Sequence, residues 1–195
     1  MASLVEALST QLAASTIGSL ATRIGADPER THSAVQAALP VLVCALAKNS
    51  AHESGAMALR KALGAHDGRI FEDLAGAIAL PAHATTGDAI LEHVLGGRRP
   101  VVEEGLSKVS GMDQAAASRL LASLAPIVMG YLGRTARRNG FDSAALASAL
   151  AHASHQAHAS STESSATLMS LLDRDGTSSI ADDHGGVGIP SAARA

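Results

Sequence analysis

Between residues 2 and 24, Leu4, Val5, Leu8, Leu12, Ile17, Leu20 and Ile24 recur near helical spacing, with polar residues between them. Ser15-Thr16 and Gly18 are the points where this segment is expected to split into two helices. Gly25 reads as a C-cap, and Asp27-Pro28 as the start of the next helix, with Asp at the N-cap and Pro at the first helical position. That helix is predicted to run to about Asn49. Pro40 lies inside it, where it removes a backbone donor and crowds the preceding turn, so a kink is expected there.

Further along, Ser54 is predicted to cap a shorter helix to about Leu63. His66-Asp67-Gly68-Arg69 reads as a turn, and Ile70–Leu80 as another short helix. Residues 81–86 read as a loop, and Asp88–Leu95 as a helix stopped by Gly96-Gly97. Pro100 opens the next helix, which ends near Ser110-Gly111. Asp113 caps a long helix to about Asn139 with Pro126 inside it. Gly140 ends that helix, and Asp142 caps one to about Gln156.

Two of these segments repeat. GADPERTHSAVQAALPVLVCALAKNS from Gly25 and GMDQAAASRLLASLAPIVMGYLGRTA from Gly111 align at an offset of 86 residues. Gly25 pairs with Gly111, Asp27 with Asp113, and Pro40 with Pro126. Both segments are apolar on most faces, the mark of a buried helix. The expectation is an all-α, multihelical single domain over residues 1–156. Two buried, proline-kinked central helices, related by an internal repeat, would cross at its centre. Residues 157–195 are rich in Ser, His, Thr, Gly and Ala, and are expected to form a mobile tail with one ordered segment near Leu168–Asp183.

Composition supports the helical reading. The chain is 47% hydrophobic, yet holds two Phe, one Tyr and no Trp, so its core is built from Ala, Leu and Val. Its net charge is −3. Phosphate-backbone binding needs a basic field and single-strand binding needs aromatic platforms, so no nucleic-acid partner is expected. The apolar stretches Ala34–Ala47 and Leu120–Leu132 are shorter than a bilayer span, and residues 1–6 carry no cationic signal region. With Cys44 as the single cysteine, no intrachain disulfide is possible, and a cytoplasmic location is expected.

Chemistry-bearing residues are sparse. The segment from Asp173 to Asp183 places Asp173, Asp175 and Thr177 at positions 1, 3 and 5 of a calcium loop, and Ile180 at position 8. Ser178 replaces the usual Gly, and His184 stands where a bidentate Glu belongs, with Asp182 and Asp183 just before it. The segment is a degenerate calcium loop, with Asp173, Asp175, Thr177 and Asp183 as candidate ligands for weakly held calcium and a metal-free turn as the leading alternative. No other cofactor and no small-molecule substrate is implied. His152, His155 and His158 are spaced for one helical face, which reads first as solvated. Cys44 reads as a small buried hydrophobe. Gly96-Gly97-Arg98-Arg99-Pro100 combines two cations with a helix start, where an anion is stabilised, although it reads first as a plain helix–helix connection with solubilising charge. Catalytic residues are not expected.

The stretches AALPVLVCALAKN, HDGRIFEDL, GDAILEHVLGGRRPVVEEGLSKVSGMD and LLASLAPIVMGYLG resemble the YidB-like family of bacterial proteins, a domain of unknown function. LLDRDGTSSIADD resembles a tail found in some members. The resemblance implies a multihelical fold with two buried central helices. It implies no established activity and no functional residues. The expected function is a non-enzymatic interaction or self-assembling scaffold protein with a protein partner, the alternative being a calcium- or metal-responsive module using Asp173–Asp183.

Overall fold

The structure is a computed structural model and describes residues 3–12 and 14–174. Helices account for nearly all of them, and no strand forms among the described residues. In chain order the helices are α1 (Leu4–Gln11), α2 (Ala14–Ile24), α3 (Pro28–Asn49), α4 (Glu53–Ala62), α5 (Leu74–Ala79), α6 (Pro81–Leu95), α7 (Arg99–Ser110), α8 (Gln114–Arg138), α9 (Ser143–Ala159) and α10 (Glu163–Arg174). Short 3-10 turns at Arg69–Phe71 and Gly96–Arg98 join α4 to α5 and α6 to α7.

The two long helices begin alike. Gly25 and Gly111 both take positive φ, at 73° and 68°. The Asp27 carboxylate then accepts from the Glu29 and Arg30 amides, and the Asp113 carboxylate from the Ala116 amide. Each helix also reaches the approach to the other. Arg30 of α3 donates to the Gly111 carbonyl at 2.8 Å, and Arg119 of α8 donates to the Ile24 carbonyl at 2.7 Å. Pro40 and Pro126 lie inside continuous helices.

These two helices supply most of the core. Leu39, Val41 and Val43 of α3 and Leu120, Leu121, Leu124 and Ile127 of α8 are fully buried. They touch each other, but α8 lies mainly against α6 and α7, and α3 mainly against α9 and α10. Both helices are long and apolar enough to cross a membrane by length and composition, which the shorter apolar runs in the sequence did not suggest. Here 72% and 78% of their most apolar windows are buried inside the fold.

Several segments differ from expectation. Ser15, Thr16 and Gly18, where a break was expected, lie inside α2, so the break comes before them. His52, not Ser54, stands at the N-cap of α4. Residues 81–86, expected as a loop, open α6. Leu80 is extended (φ −73°, ψ 135°), which suits the residue before a proline, and Pro81 takes the first helical position. Residues 157–167, expected as mobile tail, instead close α9 and open α10, which takes in the start of the segment near Leu168–Asp183 that was expected to be ordered. Leu168, Met169 and Leu172 of α10 are buried in the same core as α3, and Lys48 and Arg98 donate to the Leu172 carbonyl. The Ser- and Thr-rich residues 163–167 carry no apolar pattern of their own, and they are helical because Leu168, Met169 and Leu172 anchor α10.

Candidate functional site

An open, largely apolar groove lies between α4 and α6, enclosing about 300 Å³. One wall is Gly55, Ala58, Leu59 and Ala62 of α4. The other is Thr86, Ala89, Ile90 and His93 of α6, and Leu46 of α3 and Met129 of α8 also line it. On both walls the lining residues fall at i, i+3, i+4 and i+7, so each helix presents one face to the groove. Asn49, the last residue of α3, holds one end of it: its side-chain amide donates to the His93 and Val94 carbonyls at 3.3 and 2.9 Å.

Through His66 and Thr86 the groove adjoins a second cavity of about 260 Å³, lined in part by Ile70, Leu80 and His83. Leu80 is 58% exposed, an unusual position for a large aliphatic side chain. His83 is buried, and its Nε2–H donates to the Ser123 carbonyl at 2.8 Å, a carbonyl being able only to accept. Burial holds the pKa of His83 below the usual imidazole value; the Ser123 carbonyl opposes this and the Arg23 charge adds to it. Burial also lowers the pKa of His66. Both imidazoles are therefore neutral at pH 7, and the groove carries little charge.

The His66–Arg69 turn borders both cavities. Gly68 has φ 87°, and a Cβ there would lie 2.8 Å from the Cβ of Arg134 and 3.2 Å from the Gly130 carbonyl oxygen. Asp67 accepts from the Arg69 backbone, pairs with the Arg69 guanidinium at 2.6 Å and has Arg137 at 3.9 Å. Its charge is met by arginines, which leaves a structural turn rather than a cation site. Arg134 sits 4.5 Å over the Phe71 ring and 5.6 Å over that of Tyr131, so this cation braces the turn on α8.

The other sequence-derived candidates separate. Arg99 pairs with Asp88 and with Glu103 at 2.7 Å, and Ser118 also donates to Glu103. Burial alone would lower the Arg99 pKa, but its hydrogen bonds and the charges of Glu103 and Asp88 outweigh that and raise it. Arg98 donates to the Leu172 carbonyl. The Arg98-Arg99 turn thus carries internal partners rather than a built anion site. Asp175, Thr177 and Asp183 lie outside the described residues, as does the side chain of Asp173. His152 bonds Gln156 at 3.0 Å, and no cluster of three His, Cys, Asp or Glu able to hold a metal forms among the described residues.

Cys44 is buried, as expected, but its surroundings are not purely apolar. Ser154 donates to its sulfur at 3.3 Å, its thiol points at the Met169 sulfur at 3.4 Å, and His158 Nε2 lies 3.8 Å away. The groove and this sulfur cluster were both illegible in sequence. Small residues on two helices carry no chemical signal, and an ordered segment near Leu168–Asp183 gives no sign of which helix Met169 packs against.

The description "Bacterial protein of unknown function (DUF937)" belongs to the family that matches residues 6–135. The chain is a member of this family. No curated protein and no solved structure matches it. The DUF937 region takes in α2 to α7 and nearly all of α1 and α8, so both walls of the groove lie inside it. Cys44 is also inside it, whereas His158 and Met169 are contributed by α9 and α10, beyond the match.

Proposed function

We propose that this DUF937 protein is a non-enzymatic interaction module that receives an apolar helix of a protein partner in the groove between α4 and α6. The observation that carries this reading is the matched pair of walls. Gly55, Ala58 and Ala62 face Thr86 and Ala89 at helical spacing over an apolar base. Small residues let a third helix approach closely, and Leu46, Ile90 and Met129 offer apolar contact to its larger side chains. Neutral His66 and His83 and exposed Leu80 extend the same surface along the adjoining cavity. An enzyme of a general acid–base kind would need titratable groups gathered in such a cavity, and the groove holds only scattered imidazoles and amides.

The test is a photo-crosslinking amino acid placed at Ala58 in the full chain within cells, with a second chain labelled at exposed Glu29 as control. The expected result is a discrete protein adduct from position 58, lost when Ala89→Glu puts a charge in the facing wall. A discrete adduct of a second copy of this chain would make the module self-assembling. Equal labelling from both positions, or capture of a lipid or other small apolar molecule only, would overturn the reading.

A further inference from the structure

We propose that Cys44, His158 and Met169 form a binding site for a soft monovalent cation, Cu(I). The three donors come from three helices, α3, α9 and α10, and meet where no other function is assigned. The Cys44 sulfur lies 3.4 Å from the Met169 sulfur and 3.8 Å from His158 Nε2. An ion with metal–donor bonds of about 2.0–2.3 Å in a trigonal arrangement sets its donors roughly 3.5–4 Å apart. The two separations from the Cys44 sulfur are therefore those that one ion shared with Met169 and with His158 requires.

The donor set selects the metal. Thiolate and thioether sulfur favour Cu(I), whereas a thioether is a poor ligand for zinc, which takes four N, S or O donors. Charge agrees. Binding releases the thiol proton to solvent, and one thiolate with one Cu(I) leaves no net charge in a place where Cys44 and Met169 are each 2% exposed. A divalent ion would leave a net positive charge at this buried place. Ser154 already donates to the sulfur, as an outer partner that orients a metal-bound thiolate does. His158 is exposed and gives an ion its route from solvent to the buried sulfurs.

The test uses the full, reduced chain under nitrogen, titrated with Cu(I) in competition with a chromophoric Cu(I) chelator. One equivalent is expected, with near-ultraviolet thiolate-to-copper absorption. His158→Ala, at an exposed position, and Met169→Leu, which keeps the apolar volume, are each expected to weaken binding at least about tenfold. Cys44→Ala is expected to abolish both binding and absorption. Failure of the chain to hold Cu(I) against the chelator would overturn the site. So would unchanged affinity in either His158→Ala or Met169→Leu, or binding retained by Cys44→Ala. Should Cys44→Ala not fold, the other two variants decide the matter.

Discussion

Gly87 of α6 lies directly against Ala122 of α8, whose carbonyl oxygen takes the space that a Cβ on residue 87 would need. This contact sets how closely α6 seats on α8, and α6 is one wall of the groove. Replacing Gly by Ala in a helix ordinarily stabilises by up to about 1 kcal/mol. Here backbone must move instead, so Gly87→Ala is expected to destabilise by about 1–3 kcal/mol in urea unfolding. Gly18→Ala in α2, where a Cβ meets nothing within 4 Å, is the control and is expected to stabilise. Equal effects at the two positions would refute the close approach.

The paired helix starts make a second prediction. Asp27 and Asp113 each satisfy otherwise orphaned backbone amides, so Asp→Ala at either position is expected to cost about 1 kcal/mol. Arg30, whose amide Asp27 caps, also donates to the Gly111 carbonyl two residues before Asp113. The two losses are therefore expected to be non-additive by about 0.5 kcal/mol or more in a double-mutant cycle. Strict additivity would mean that the two starts do not support one another.

These starts were the most legible part of the chain, because Asp-Pro and Asp at the edge of an apolar run act through local chemistry. The α3 and α8 boundaries follow directly from them. Residues 81–86, expected as a loop, are helical because Leu80 is extended and Pro81 fits the first turn of α6. Gly87 is there for proximity to α8, which only the fold reveals. The groove walls are alanines and a glycine, residues whose meaning lies in what they leave open. The neighbours of Cys44 are 110 or more residues away in sequence, beyond the reach of any spacing rule.

Acid should weaken the fold through His83 and His66. In each the folded-state pKa lies below the ordinary imidazole value of about 6.5, with burial as the first cause. As pH falls through about 6.5 the unfolded chain takes up protons before the folded one, so stability falls. It is fully present above that pH, is lost on the way down to the folded-state pKa, and declines no further from these groups below it. Melting temperatures between pH 7.5 and 5.5 are expected to drop, and to drop less in a His66→Gln, His83→Gln double variant. A melting temperature that rises on acidification would contradict the burial of these rings.

The core packing reaches through α10, and truncation tests it. Leu168 is fully buried, with Met169 and Leu172 nearly so, and Lys48 and Arg98 hold the Leu172 carbonyl. Leu168→Ala therefore removes core volume and is expected to cost about 2–5 kcal/mol. A chain ended after Arg174 is expected to match the full chain in its urea midpoint. One ended after Ala159 leaves the apolar face of α3 that α10 covers open to water, and is expected to unfold at clearly lower urea. If both truncations unfold at the midpoint of the full chain, α10 contributes nothing to the core, and Met169 would have no fixed place beside Cys44.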